Sequence, residues 1–251
     1  MRISVVVPFY NEEEGIPALR KKLGQLASIL PRTLELEFVL VDDGSQDGSQ
    51  GVAEAYFHDL PLVLFAHHPR NLGLGAAMRT GFSKATGNIV CAIDSDCTYD
   101  PLQIPRLVDM LEKTGADIAS ASPYHPEGGV ENVIGWRLFL SRAASWMYRI
   151  VCPGKLYTYT SMMRAYRRAV IQMVPFHSDG FAGVTEILLR ASQQGYRVVE
   201  VPMVLRSRMT GTSKMKVMRS IGMHLHLMLQ AVTWRLMGME PCSVPNAKEI
   251  G

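Results

Sequence analysis

An α/β protein built on a mostly parallel sheet with helices on both faces is what this sequence predicts, and three observations carry that reading. Strand and helix signals alternate through the first half of the chain. The strand runs are apolar and rich in Val and Ile over their whole length, as strands buried on both faces are. Polar and acidic clusters follow several of these runs directly, at the carboxyl ends where ligands of such sheets bind.

The elements follow in order. "ISVVVPF" reads as a buried strand. "EEGIPALRKKLGQLASIL" carries apolar residues at helical spacing: Ile16, Leu19, Leu23, Leu26, Ile29 and Leu30. "LEFVLVDD" and "LVLFAHH" are strands, with the helical "DGSQGVAEAYFHD" between them. "GLGAAMRTGFSKATG" is a helix, "NIVCAID" a strand, "PLQIPRLVDMLEKTG" a helix and "ADIASAS" a fifth strand. After Gly128–Gly129 the pattern changes. "NVIGWRLFLSRAASWMYRIV" is an amphipathic helix that is both basic and aromatic. "MRAYRRAVIQMV" and "FAGVTEILLRASQQG" read as helices, and "YRVVEVPMVL" as one strand. "KMKVMRSIGMHLHLMLQAVTWRLMGM" reads as a long helix rich in Met and Leu.

With 251 residues, 47% of them hydrophobic, the chain can bury a substantial core. No segment has the ~18 consecutive apolar residues of a membrane span. The N-terminal apolar run Ile3–Val7 is short and soon meets Glu12–Glu14, unlike a signal peptide. Cys91, Cys97, Cys152 and Cys242 are scattered without a C-x-x-C, which predicts reduced thiols in a cytosolic protein rather than disulfides or zinc. Net charge is +3, unevenly spread. Residues 1–131 hold 18 acids against 10 Lys and Arg; residues 132–251 hold 5 against 16. From Asn132 to Ser178 there is no acid, but seven Lys or Arg. That segment points to an anionic partner. Nothing in the sequence indicates nucleic acid.

The chemistry-bearing stretch is "CAIDSDCTYDP". Asp94, Asp96 and Asp100 resemble the start of a calcium loop, but that loop needs Gly at its sixth position and Glu at its twelfth, where Tyr99 and Pro105 stand. Asp100 before Pro101 is a helix cap. Asp94 and Asp96 lie too early to share that role. Two carboxylates at the end of a central strand suit Mg²⁺ or Mn²⁺ bridging to phosphate oxygens of a nucleoside diphosphate. Asp42 could accept hydrogen bonds from a base or ribose, and Asp43 reads as a turn or cap residue. "RNLGLGAAMRTG" lacks both the third small residue of a dinucleotide fingerprint and a Walker Lys, so Gly73 and Gly75 read as allowing close helix packing. On the segment 132–151, Trp136, Phe139, Leu140, Ala143, Met147 and Ile150 recur near helical spacing among Arg137, Arg142 and Arg149. Such a helix either packs on the sheet or lies in a bilayer interface. The Met-rich C-terminal helix suits docking to a membrane-protein partner or to a second copy of the chain. Its His224 and His226 read as tolerated polar positions.

Taken together, "VVVPFYNEEEGI", "LVDDGSQDGS", "NLGLGAAMRTG", "DSDCTYDP", "SRAASWMY", "TSMMRAYRR" and "EVPMVLRSRMTGTSK" resemble glycosyltransferase family 2, and most closely its dolichyl-phosphate mannose synthase-like branch, over residues 3–216. The resemblance implies a glycosyltransferase-A fold, with a Rossmann-like sheet and C-terminal interfacial helices. It implies a catalytic domain over 1–216, with 1–131 binding nucleotide-sugar and 132–216 the acceptor, followed by an amphipathic helix and tail over 217–251. Pro8, Tyr10, Glu12, Asp42, Asp94 and Asp96 would hold the nucleotide-sugar, of GDP-mannose or UDP-glucose type. Asp94 and Asp96 would also hold Mg²⁺ or Mn²⁺. Arg137, Ser141, Arg164, Arg208 and Lys214 would meet the acceptor phosphate, with Asp96, Arg208 and Lys214 closest to the chemistry. The sequence departs from the family pattern at Thr98, Ser122–Pro123, Thr158 and Met162–Met163.

The reaction so implied is metal-dependent inverting transfer of a hexose to a polyprenyl phosphate, by a cytoplasmic enzyme held peripherally at the membrane surface. The alternative is transfer to a hydroxyl of a soluble or polysaccharide acceptor. That reaction needs a general base, for which Glu186 is the candidate in the second half.

Overall fold

The computed structural model describes the chain apart from residues 32, 61, 134, 153–154, 209–216 and 237–251; within its helices, the side chains of Arg137, Val217, Arg219, Arg235 and Leu236 are likewise outside the description. The first half alternates strand and helix as the sequence predicts: β1 (Arg2–Phe9), α1 (Ile16–Ile29), β2 (Glu35–Asp42), α2 (Ser49–Phe57), β3 (Val63–His67), α3 (Leu74–Lys84), β4 (Ile89–Ala92), α4 (Ile104–Thr114) and β5 (Ile118–Ser122). The apolar runs become strands because both faces are covered: seven of the eight β1 residues are buried. Helix α4 follows a 3₁₀ turn, Pro101–Gln103, which Asp100 caps by accepting a hydrogen bond from Leu102 N at 3.1 Å. It ends at Gly115, whose φ of 66° is the left-handed conformation that closes a helix.

The second half supplies β6 (Gly129–Glu131), α5 (Gly135–Val151), β7 (Arg164–Arg167), α6 (Arg168–Met173), α7 (Ala182–Gln193), β8 (Val198–Pro202), β9 (Val204–Arg206) and α8 (Val217–Leu236). The seven-stranded sheet runs β3-β2-β1-β4-β7-β5-β8. All neighbours are parallel except β7, which lies antiparallel between β4 and β5. One apolar layer packs α1, α2 and α4 on one face. The other packs α3, α5, α7 and α8 on the opposite face.

Two expectations change. "MRAYRRAVIQMV" is not one helix: Arg164–Arg167 form β7 before α6 begins. Its pairing with two central strands satisfies backbone groups that a helix would satisfy internally, and the tertiary setting overrides a short helical pattern. "YRVVEVPMVL" is two strands. Met203 N still bonds Ser122 O at 3.2 Å, after which β9 leaves the main sheet and pairs with β6.

Candidate active site

Three strand ends form the crevice. The loop after β1 is fastened to the loop after β2: Asn11 N donates to Ser45 Oγ at 2.9 Å, Gln46 N to Asn11 Oδ1 at 2.8 Å, and Glu12 N to Ser49 Oγ at 2.8 Å. Asn11 takes a positive φ of 51°, a conformation Asn tolerates better than most residues. Asp42, buried at the end of β2, accepts from Ser45 N at 3.0 Å and lies 3.7 Å from His67. Asp43 accepts from Leu72 N at 2.9 Å, from Gly73 N at 2.8 Å and pairs with His68 at 2.7 Å, so it holds the entry to α3. The entry itself is tight. A Cβ on Gly73 or Gly75 would strike the backbone of Ser178–Asp179, and Gly75 N bonds Asp179 O at 2.6 Å.

Beyond β4, Asp94 and Asp96 stand on a turn that includes Cys97 at φ 55°. Thr98 N donates to Asp96 Oδ1 at 3.1 Å, which orients that carboxylate. Arg208, two residues past β9, reaches back across the crevice. Its Nη2 lies 2.8 Å from Asp96 Oδ2 and 3.3 Å from Glu12 Oε1. Its Nη1 is buried and has no hydrogen-bond partner among the described residues. Burial, and then the charge of Asp96, push the Asp94 carboxyl up to about 7, with Arg208 opposing. Three carboxylates thus share one neighbouring guanidinium, and the surplus negative charge is what a divalent cation would offset. The hard oxygen donors fit Mg²⁺ or Mn²⁺. Among the described residues no group of three or more His, Cys, Asp or Glu is placed to hold a metal. Asp94 and Asp96 would therefore supply two ligands, and Mg²⁺ commonly takes the remainder from water and phosphate.

Against this crevice lies a cavity of about 410 Å³. Asp94, Thr98 and Tyr99 are at its polar end, with Ser141, Thr160 and Ser161 beside them. Its walls are apolar: Leu140, Ala144 and Met147 from α5, and Ile221, Leu225 and Met228 from α8. The two helices are tied by Tyr148 OH to His224 Nδ1 at 2.9 Å. Burial lowers the His224 pKa, which keeps the ring neutral in that bond. Outside the cavity, α5 presents Phe139, Trp146 and Ile150 to solvent at 71%, 66% and 58% exposure. The inner side of the helix, at Tyr148, packs in the core, so the packing reading holds for that face.

The model of "Glycosyl transferase family 2" matches residues 4–174. The chain belongs to glycosyltransferase family 2. This transferase is 33% identical over 221 residues to a polyprenol monophosphomannose synthase of Mycolicibacterium smegmatis, covering 85% of this chain and 81% of that protein. It is 32% identical over 218 residues to a dolichol-phosphate mannosyltransferase of Pyrococcus furiosus, covering 86% of this chain and 60% of that protein, less than two thirds of its length. Among solved structures it resembles glucosyl-3-phosphoglycerate synthase of Mycobacterium tuberculosis (TM-score 0.70, 21% identity, 92% of this chain and 80% of that one). It also resembles mannosyl-3-phosphoglycerate synthase of Rubrobacter xylanophilus (TM-score 0.69, 19% identity, 100% and 78%). These two likenesses carry the glycosyltransferase-A fold.

The transferase brings Glu12, Asp94, Asp96 and Arg208 together; Pro8, Tyr10 and Asp42 stand at the ends of β1 and β2 on the same edge of the sheet. Ser141 bonds Thr160 Oγ1 at 2.8 Å at the cavity wall. Lys214 and the side chain of Arg137 lie outside the described residues. Arg164 is a correction. Grouped with the acceptor-phosphate residues, it is instead wholly buried. It donates to Ser120 Oγ at 3.1 Å, to Tyr159 O at 2.6 Å and to Val184 O. All three nitrogens are committed to the protein, and the residue supports the 159–163 segment from behind. Glu186, the candidate base, accepts from His177 N at 3.1 Å, Ser178 N at 2.7 Å and Arg190 Nε at 2.7 Å. Tyr99, Tyr124, Thr160 and Ser161 line the cavity without having been singled out. The pair 160–161 is the "TS" that opens "TSMMRAYRR".

Proposed function

We propose that this glycosyltransferase moves a hexose, mannose first among the candidates, from a nucleoside-diphosphate sugar to a polyprenyl phosphate at the membrane surface. The observation that carries the reading is the junction of a carboxylate-lined crevice with an apolar cavity, Asp94 being common to both. An acceptor that is a phosphate at one end and an isoprenoid at the other matches such a junction; a sugar hydroxyl does not. The names of the two mannosyl-phosphate relatives support the same substrates.

Pro8, Tyr10, Glu12 and Asp42 would seat the nucleotide at the ends of β1 and β2. A Mg²⁺ or Mn²⁺ held on Asp94 and Asp96 would supply charge neutralisation to the diphosphate as a Lewis acid. Breaking the sugar–phosphate bond builds positive charge on the sugar and negative charge on the leaving diphosphate. Arg208 has a buried donor without a partner among the described residues and is positioned to answer that negative charge. Lys214 would add a second cation. A phosphate monoester with its second pKa at ~6 is already mostly ionised and needs no base. That requirement agrees with Glu186, whose carboxylate is spent on the 177–178 backbone and Arg190. Attack on the face opposite the leaving group would invert the anomeric centre. Among the described residues no helix is long and apolar enough to cross a membrane. Peripheral seating would therefore rest on the exposed apolar residues of α5, on the cytoplasmic face.

Incubating the protein with radiolabelled GDP-mannose, UDP-glucose and related donors, Mg²⁺ or Mn²⁺, and polyprenyl phosphate tests this. Label should enter the organic phase. No label with any donor, from protein that binds nucleotide, would refute the lipid-phosphate acceptor.

A further inference from the structure

A second cavity, of about 320 Å³, lies between α5 and the 123–130 loop, adjoining the apolar cavity across a shared wall at Pro123 and Tyr124. Arg142 and Arg149 both line it. Seven residues apart on α5, they stand two turns along one face. Each guanidinium sits over an aromatic ring: Arg142 is 5.2 Å from the centroid of Tyr124, and Arg149 is 5.1 Å from that of Tyr157. His125 meets Tyr157 edge-on at 5.3 Å.

Neither arginine makes an ion pair with a described residue, whereas Arg167, Arg190, Arg206 and Arg208 do. Of the acids nearby, Glu127 is exposed on the 123–130 loop, and the other two are engaged elsewhere. Glu200 accepts from Tyr157 N at 2.7 Å and Thr158 N at 2.9 Å, and Glu131 pairs with Arg206 at 2.9 Å. Two cations held by ring stacking, with no hydrogen bond from either guanidinium to a described residue and no acid between Asn132 and Ser178, make a cradle for an anion that offers several oxygens.

We propose that this cavity binds the phosphate of an anionic glycerophospholipid, as an anion site separate from that of the transfer reaction. The choice of a lipid over a free phosphate comes from the surroundings. Trp146 lines the same cavity, and Phe139 and Ile150 stand exposed along the same face of α5. A headgroup in the cavity would place those side chains at the depth where aromatic and aliphatic groups enter the interface. The inference rests on the membrane-surface reading of the proposed function. It adds to that reading the lipid class that fixes the enzyme's orientation.

The test is co-sedimentation of the full chain with phosphatidylcholine vesicles, with and without phosphatidylglycerol. Wild type should bind both, and the anionic ones more tightly. Arg142→Gln/Arg149→Gln should lose roughly 30-fold in binding to the anionic vesicles. It should retain binding to phosphatidylcholine alone and turn over a detergent-dispersed polyprenyl phosphate at the wild-type rate. A control, Arg106→Gln/Lys113→Gln on α4, removes the same charge from elsewhere and should lose little.

Equal losses in the two double variants would reduce the effect to net charge and overturn the proposal. So would wild-type behaviour of Arg142→Gln/Arg149→Gln on anionic vesicles, which leaves the membrane reading standing. Failure of wild type to bind either vesicle would overturn the membrane reading, and this proposal with it. Saturable binding of inorganic phosphate or glycerol phosphate that the double variant abolishes, without any change in vesicle binding, would assign the cavity to a soluble ligand. A fall in turnover with the dispersed acceptor would assign it to the acceptor site.

Discussion

Glu186→Gln separates the two acceptor chemistries, because the structure gives this residue a full set of partners in place of a proton to take. Two donor groups face the carboxylate: the 177–178 backbone on one oxygen and Arg190 Nε on the other. A Gln amide has one oxygen, so in either orientation its NH₂ meets an N–H. Hydrogen bonds to a charged partner contribute ~1.5–3 kcal/mol each, and an orphaned buried donor costs about 1–3. Losing one side outright and weakening the other predicts a destabilisation of roughly 2–4 kcal/mol. For a chain of this size that lowers Tm by roughly 5–12 °C. Burial raises the Glu186 pKa, but the hydrogen bonds from Ser178, Arg190 and His177 outweigh it and hold the group below its ordinary value of 4.5. The stability so conferred is present above that ordinary value and lost as the pH falls through the lower, folded one. The difference in Tm between wild type and Glu186→Gln, followed by thermal melts in buffers of decreasing pH, should therefore close in acid. Turnover per folded molecule, measured well below the variant's Tm, should stay within about threefold of wild type, well short of the 10²–10⁴-fold that a lost general base costs. A collapse of turnover with unchanged Tm and nucleotide binding would refute this reasoning and restore Glu186 as a base for a hydroxyl acceptor.

Four further outcomes follow from the geometry. Asp94→Asn should lose roughly two to three orders of magnitude in turnover. In chelator at pH 8 it should nevertheless melt above wild type, because Asp94, raised to about 7, is held charged there against the preference of the fold; wild type should gain stability as pH falls from about 7 toward the ordinary value of 3.8, and the variant should not share that gain. Arg164→Met should cost about 3–5 kcal/mol by removing three buried hydrogen bonds from a charged group, to Ser120 Oγ, Tyr159 O and Val184 O, visible as poor solubility or a large fall in denaturation midpoint. Gly75→Ala should destabilise measurably in urea melts, since its Cβ meets backbone that cannot turn aside. Phe139→Ser should leave the unfolding free energy within about 0.5 kcal/mol of wild type, the side chain being 71% exposed, yet weaken vesicle binding roughly tenfold.

The first half was legible in the sequence because β1, β2 and β4 are apolar runs that the fold buries almost throughout, so composition and tertiary setting agree. β7 was not. A buried Arg opens it, and only the carbonyls of Tyr159 and Val184 and the hydroxyl of Ser120, the last two 20 and 44 residues away, explain why an Arg belongs there. Asp94 and Asp96 were legible as a pair at a strand end. That Arg208 belongs near the site was carried by family resemblance, not by spacing, and its bridge from Asp96 to Glu12, over a hundred residues back in the chain, was not legible at all. The apolar cavity could not be read at all, since its walls come from α5 and α8, which no local pattern relates.

The reversed strand β7 also bears on how the molecule is made. It is the seam between β4 and β5, and it belongs to the second half of the chain. A ribosome releasing residues 1–131 has delivered every carboxylate of the donor crevice, but the sheet beneath them has a missing slat. Closure waits for Arg164–Arg167, more than forty residues after β5. The segment just before β7, which carries Thr160 and Ser161 to the cavity, arrives with it. The nascent chain therefore closes its central sheet and brings Thr160 and Ser161 to the cavity in one event, and the wall that α8 supplies follows about fifty residues later.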